Sequence, residues 1–376
     1  MAGRIYLDYN ASSPIHPEVA AEMRPLLEQD FGNPSSGHWA GRPARAAVEL
    51  ARRRTAALLD CAPEEIVFTS GGSEASNLAI KGAFFEARRR GIEAPHFVTT
   101  AVEHPATREP LRFLARLGAV VTVLPVDRHG RIDPRQVEAA LTPGTVLVTM
   151  MHANNETGTL LPVEETAALL RPRGVPLHLD AAQSVGKIPT RVRELGADLL
   201  TVAAHKFYGP KGVGALYVRS GLRLEPLVHG AGHERGRRAG TESALLLAGL
   251  GKACEISSSD LGMPAVRALR DAFEAELFRR FAGRVTRNGH PDLRLPNTSN
   301  INFVGRTGAE VLERLEIVAA STGSACHTGS VELSPVLRAM GVPPEEGMGA
   351  VRFSLGRFTT RTEVEEVLER LERVLH

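Results

Sequence analysis

Two apolar runs near the middle of the chain each stop at a side chain that can do chemistry. Leu177-His178-Leu179 ends at Asp180, and the run from Leu199 to Ala204 ends at His205-Lys206. An acid and an amine delivered by two strand ends are the pair that pyridoxal 5′-phosphate chemistry needs. The amine makes a Schiff base with the cofactor, and the carboxylate keeps the pyridine nitrogen protonated, because a nearby anion favours the charged form. Alone, such a pair is ordinary solvated surface. Here the chain has only five lysines, Lys81, Lys187, Lys206, Lys211 and Lys252. Lys206 also stands between an apolar run and a Tyr208-Gly209-Pro210 turn, where a rigid scaffold meets a loop and function concentrates.

Two further stretches carry chemistry. The β-branched run Glu65 to Ser70 feeds Gly71-Gly72-Ser73-Glu74 and a helical pattern from Ala75 to Arg90. A strand, a glycine turn and a helix start present unpaired N–H groups at the positive end of a helix, which suits an anion. The same turn also serves as a plain βα connection. The segment Ser321 to Ser330 holds Cys326 among neighbours that cannot anchor it. Cys61 and Cys254 lie in helix-like sequence and read as small core residues. An exposed thiol is a liability unless its reactivity is used, and His327 beside it could help deprotonate it.

The elements that must position these groups alternate. Strand patterns at Phe97–Thr100, Val120–Val126, Val146–Met151 and up to Asp180 are interleaved with helical spacing at Pro134–Leu141 and Val163–Leu170. Repeated βα units predict a mostly parallel sheet covered by helices, with ligands beyond the carboxyl ends of the strands. At those ends stand Gly72-Ser73, His104, Asn155, Asp180 with Gln183, and His205-Lys206, which could converge on one crevice. After Ser257 the pattern changes to helix Pro264–Phe281, strand Asn300–Val304, helix Ala309–Leu315, strand Ile317–Ala320, helix Pro335–Met340, strand Val351–Leu355 and a terminal helix. Thr360 or Thr362 with Glu363 or Glu365 opens that last helix in capping-box spacing. The expected organisation is a large α/β domain over 14–256, and a smaller α+β domain from 1–13 and 257–376 that carries the cysteine loop.

Composition narrows the class. The chain has 376 residues, 43% of them hydrophobic and 23% charged, with a formal net charge of +2. That is an ordinary soluble composition and gives no basic signature for nucleic acid. No apolar run approaches the length of a membrane span, and the opening MAGRIYLDYN has no signal-like stretch, so a cytoplasmic location is expected. Three scattered cysteines make neither a disulfide framework nor a CxxC metal site.

The words FGNPSS, IVFTSGGSEASNLAIKG, VEHPA, HANNETG, HLDAAQSVGK, AHKFYGPKGVGALYVR, HERGRRAGT, ASTGSAC and VRFSLGRFTT occur in this order. Over effectively its whole length the chain resembles the cysteine desulfurases of the NifS/IscS type, fold-type-I pyridoxal 5′-phosphate enzymes of the aminotransferase class V group. The resemblance implies a large domain with a mostly parallel seven-stranded sheet, a homodimer, and conversion of L-cysteine to L-alanine with a persulfide left on Cys326. It also implies that Lys206 holds the cofactor covalently, Asp180 pairs with the pyridine nitrogen and Gln183 contacts the ring hydroxyl. His104 stacks on the ring and assists proton transfer, and Asn155 lies beside cofactor and substrate. Gly72, Ser73 and His205 bind the phosphate, joined by Thr241 of the other subunit, while Asn33 and Arg352 hold the substrate carboxylate. The persulfide would pass to an acceptor such as an iron–sulfur scaffold or a tRNA-thiolation relay, with Cys326 transiently sharing a cluster iron. Four positions depart from the family pattern: Ala203 where a phosphate-binding serine is common, Ser243 where asparagine is common, and His327-Thr328 where small serines or threonines follow the cysteine. The alternatives are a selenocysteine lyase or another lyase using the same cofactor, and a catalytically silent assembly platform.

Overall fold

The computed structural model describes residues 3–259, 262–322, 324–327 and 330–375, without the side chains of 324–327, 330 and 331. It contains strands β1 (Ile5–Tyr6), β2 (Ile66–Thr69), β3 (His96–Thr100), β4 (Val120–Leu124), β5 (Thr145–Met151), β6 (Leu177–Asp180), β7 (Leu199–Ala203) and β8 (Gly214–Val218). Helices α1 (Pro17–Glu28), α2 (Gly41–Leu59), α3 (Gly72–Arg89), α4 (Pro105–Ala115), α5 (Pro134–Ala140), α6 (Val163–Leu170), α7 (Val192–Leu195) and α8 (Ala244–Ser259) accompany them. Seven of the strands form one sheet in the order β2-β8-β7-β6-β5-β3-β4. The pairs β7–β6, β6–β5, β5–β3 and β3–β4 are parallel, whereas β8 runs antiparallel to both β2 and β7.

Side chains that alternate along each strand feed the two faces of this sheet. Val98, Val148, Leu200 and Ala215 join one buried cluster with helices α2, α6 and α8. Their neighbours Phe97, Leu147, Leu199 and Leu216 join another with α3 and α4. Away from the exposed edge strand β4, both faces are therefore covered, which is why β7 reads as an apolar run, LLTVA, buried at every position.

The later part of the chain adds β9 (Val285–Asn288), β10 (Thr298–Phe303), β11 (Val318–Ala319), β12 (Ser321–Thr322), β13 (Ser324–His327), β14 (Ser330–Leu333) and β15 (Ala350–Ser354). Its helices are α9 (Met263–Arg280), α10 (Gly308–Arg314), α11 (Pro335–Ala339), α12 (Pro344–Gly347) and α13 (Arg361–Leu375). An antiparallel sheet, β12-β15-β10-β9, packs on α9 and α13 through Phe273, Leu277, Phe353, Val367 and Leu371. Strand β1 pairs in parallel with β11, and Asp8 bridges to Ser354, so the first residues are stitched into this second sheet. Of the two possible capping boxes, Thr360 with Glu363 forms: Thr360 N donates to the glutamate and Glu363 N to the threonine hydroxyl.

Three differences from the sequence reading bear on the site and its surroundings. Helix α4 has no counterpart there; Pro105 at its start and the His104 ring accepting from Ala106 N define it, while the internal Pro110 blurs its pattern. Strand β9 lies in a short polar stretch, VTRN, whose partner β10 supplies the burial. The segment read as a glycine- and serine-rich loop has a two-stranded backbone, β13 antiparallel to β14 with Cys326 opposite Val331. Backbone pairing needs no apolar side chains, so its absence from the hydrophobic pattern is expected. Among the described residues no helix is long and apolar enough to cross a membrane.

Candidate active site

The carboxyl ends of β2, β3, β5, β6 and β7 open onto one cavity of about 400 Å³. Its walls include Gly72, Ser73, His104, Asn155, Asp180, Gln183, His205, Lys206 and Arg352, together with Ala203. Asn10, Ala11, Ala106, Met151, Ala153 and Ala182 line it as well, and were not singled out from the sequence.

Asp180 is the last residue of β6 and is 7% exposed. One carboxylate oxygen accepts from Ala182 N at 3.0 Å. Burial raises its pKa, with His104 and Lys206 opposing through their charge. No lysine or arginine among the described residues pairs directly with it, so an acid facing the cavity lacks a cation. Lys206 follows β7, in the same parallel ladder, and its Nζ donates to the carbonyls of Asn10 at 2.7 Å and Ala11 at 2.9 Å. Desolvation, then the charge of Arg352, brings its pKa down to about 8.

His104 caps α4 with Nδ1 as acceptor, which puts the proton of the neutral ring on Nε2. Burial lowers its pKa, so this neutral form prevails. His205 is driven down to about 4 by burial and by Lys206, and its Nδ1 lies 3.4 Å from the Ser12 hydroxyl. Gly71, with φ of 148°, makes the turn into α3, and a Cβ at Gly214 would meet its Cα at 2.8 Å. Glycines at these two positions let β8 press the start of α3 against the cavity, where Gly72 and Ser73 offer backbone to an anion.

Arg352, on β15, enters from the second sheet. Nη1 donates to Asn155 O at 2.8 Å, and Nη2 donates to Asp8 Oδ1 at 2.8 Å and to Ser321 Oγ at 3.0 Å. Its Nε is buried without a partner. Ser321 Oγ also donates to Asp8 Oδ1 at 2.9 Å. Beyond the hairpin that carries Cys326, the Ser334 hydroxyl donates to Glu156, whose pKa is raised by burial. The two roots of that hairpin are thus tied to Arg352 and to the residue after Asn155.

Two candidates stand apart in a single chain. Asn33 is exposed on the loop after α1, its Oδ1 accepting from Ser35 N at 2.9 Å. Thr241 is exposed in a separate crevice with Ser70 and Arg238. The Cys326 side chain lies outside the described residues. Conversely, Glu103 gains importance: fully desolvated, its carboxyl is pushed up to about 8 while it accepts from Thr100 Oγ1 and Met151 N, directly beneath the cavity wall. Only its place at a strand end, beside His104, marked it in the sequence.

These residues fit a pyridoxal phosphate. A buried carboxyl without a cation awaits a protonated ring nitrogen, an uncharged amine is available at about pH 8, and a helix start supplies an anion site at the same cavity.

Residues 5–367 match the family model described as Aminotransferase class-V. The chain is 45% identical to "Cysteine desulfurase IscS" of Dictyoglomus turgidum, over 100% of this chain and 95% of that protein. It is 40% identical to "Cysteine desulfurase IscS" of Clostridium botulinum, with the same coverage. Among solved structures, a "NIFS-LIKE PROTEIN" superposes with a TM-score of 0.92 at 33% identity, covering 99% of both chains. "SspA in complex with cysteine" gives 0.83 at 37% identity, covering 95% of this chain and 100% of that one. Full-length identity at this level, on the same two-sheet frame, makes the chain a member of the aminotransferase class-V family, among its IscS- and NifS-like cysteine desulfurases.

Proposed function

We propose that this protein is a pyridoxal 5′-phosphate-dependent cysteine desulfurase that converts L-cysteine to L-alanine and leaves a persulfide on Cys326. The observation that carries the reading is that the Asp180 carboxyl and the Lys206 amine line one cavity, at the ends of neighbouring parallel strands. When bound, the cofactor supplies an electron sink joined to the substrate amino group.

The protein's own groups then have separate tasks. Lys206 holds the cofactor, and its Nζ, uncharged in useful proportion because its pKa is near 8, takes the proton from the substrate Cα. Asp180 is the counter-ion of the ring nitrogen, Gln183 meets the ring hydroxyl, and neutral His104 covers the ring. Gly72, Ser73 and His205 hold the phosphate, with Thr241 of a second copy, whose exposure in one chain is consistent with that role. Arg352, helped by Asn33 and Asn155, takes the substrate carboxylate, a task suited to a guanidinium. The Cys326 thiolate attacks the substrate sulfur: an S–S bond forms, the Cβ–S bond breaks, and its electron pair stays on the carbon that becomes the methyl of alanine. Atoms balance as L-cysteine plus thiol giving L-alanine plus persulfide.

The same reading makes the protein a cytoplasmic homodimer that hands sulfur to an acceptor protein for iron–sulfur assembly or tRNA thiolation, with a cluster iron transiently on Cys326. It divides the chain into a cofactor domain, 14–256, and a smaller domain from 1–13 and 257–376; separate sheets and the β1–β11 pairing support that division. Adding L-cysteine to the purified, cofactor-loaded protein should yield alanine and one extra sulfur atom mapped by mass spectrometry to Cys326. A loaded protein that makes no alanine ends the reading.

Ala203 gives a second test. It is 3% exposed at the end of β7, and a Cβ built on Gly72 would lie 3.2 Å from its own. Ala203→Ser places a hydroxyl beside the anion site and should tighten cofactor binding by about five-fold, the worth of one ordinary hydrogen bond. Fluorescence titration of the cofactor-free protein measures it.

A further inference from the structure

Lys187 is one of five lysines, is 5% exposed, and belongs to none of the roles above. Its backbone placement is firmly set. Gly186 before it has φ of 74°, and a Cβ there would meet the Cβ of Phe207, the residue after Lys206, at 2.5 Å. Lys187 Nζ donates to Gln183 Oε1 at 2.8 Å and to Asn10 Oδ1 at 2.9 Å. Both partners are amide oxygens, so a buried ammonium here would carry its charge uncompensated. Burial, together with the charges of Lys206 and Arg352, pushes its pKa well below the ordinary lysine value. An uncharged amine has two N–H groups, and the two amide oxygens use both.

The backbone carbonyls of Asn10 and Asn155, which can only accept, settle which way two side-chain amides point, and the Lys187 N–H groups meet the oxygens left over. With Oε1 against Lys187, Gln183 turns its NH2 to the Asn10 carbonyl at 2.9 Å and to the cavity it lines. With Oδ1 against Lys187 and Asn297 Nδ2, Asn10 turns its own NH2 to Thr298 Oγ1 and Asn155 O. The Asn10 carbonyl so held is the one that accepts from Lys206 Nζ. We propose that Lys187 is a positioning residue of the site: it fixes Gln183 as an N–H donor toward the cavity and holds Asn10 where its carbonyl docks the free Lys206 amine. The proposal rests on the cofactor reading above and deepens it. An oxygen on the bound ring would meet a donor at Gln183 and not a repelling carbonyl, and that polarity is imposed from behind, by a group that never touches the ring.

The test is the pH titration of the visible absorption of the cofactor-loaded protein. A donor aimed at an oxygen favours its anionic form, so losing the donor raises the midpoint. Lys187→Met should shift it upward by about 0.7 pH unit, the equivalent of one hydrogen bond. In a Gln183→Ala background the same substitution should add nothing. A Lys187→Met protein that titrates with the parent overturns the proposal. So does a shift of full size in the Gln183→Ala background, which would mark a direct field effect of the amine alongside Lys206, Arg352, Asp180, His104 and His205. If the methionine variant does not fold, Lys187→Gln, whose shorter amide cannot reach both oxygens, is read through the same two arms. A parent protein that takes up no coloured cofactor defeats the functional reading itself, whereas a coloured parent matched by its Lys187→Met variant defeats only this inference.

Discussion

Lys206→Ala yields a folded protein with no visible absorption after incubation with pyridoxal 5′-phosphate, and with alanine formation from L-cysteine reduced by about 10⁴-fold or more. The size of the loss follows from removing two functions at once: the covalent hold on the cofactor and a general base, itself worth about 10²–10⁴-fold. Folding should survive, because among the described residues the deleted amine is bonded only to the carbonyls of Asn10 and Ala11, which face the cavity and can turn to water. An amine depressed to about 8 releases its proton at lower pH than an ordinary lysine, so about one tenth of it is uncharged at pH 7, where an unperturbed lysine would have almost none. Circular dichroism, absorption and an alanine assay on one preparation check all parts. Retained colour and turnover would remove Lys206 from the centre of the scheme.

Cys326→Ala has the opposite profile. Colour and cofactor affinity stay at the parent level, because no cofactor task falls to this residue, while alanine formation from L-cysteine drops to background and no persulfide is found. If the variant made alanine at the parent rate, the thiol would not be the sulfur acceptor. The same variant separates a desulfurase from a selenocysteine lyase, since selenide can leave carbon without a protein thiol: a lyase would continue to turn over selenocysteine.

How much of this was legible beforehand varied with the kind of signal. The sheet was legible because both its faces are covered, so strands such as LLTVA stand out as unbroken apolar runs with chemistry at their ends. Asp180 and Lys206 were legible for the same reason. The direction of β8 was not, since Gly214–Val218 has the same composition whichever way it runs, and only its place between β2 and β7 settles it. Helix α4 was hidden by Pro110, and the Cys326 hairpin by the small and polar residues around Cys326, with Leu333 at its far end the residue that reaches the core. Asn10 and Lys187 were present as letters, a polar residue near the first strand and one lysine of five. Their importance lies in contacts across 177 and 287 positions, which no local pattern encodes. Asn33 and Thr241 remained outside the cavity of one chain, and only the family pattern gives them a place near it.

The stitching of the first residues into the second sheet has a consequence for how the protein is made. Asn10 is held by Ser354 and Thr298, which leave the ribosome 344 and 288 residues after it. Until those late strands arrive, Asn10 has Gln183 and Lys187 as partners but lacks its contacts with the second sheet, although the large sheet is already complete at Val218. Nascent chains halted short of β15 should therefore contain the sheet yet hold vitamin B6 phosphate more weakly than chains that include it.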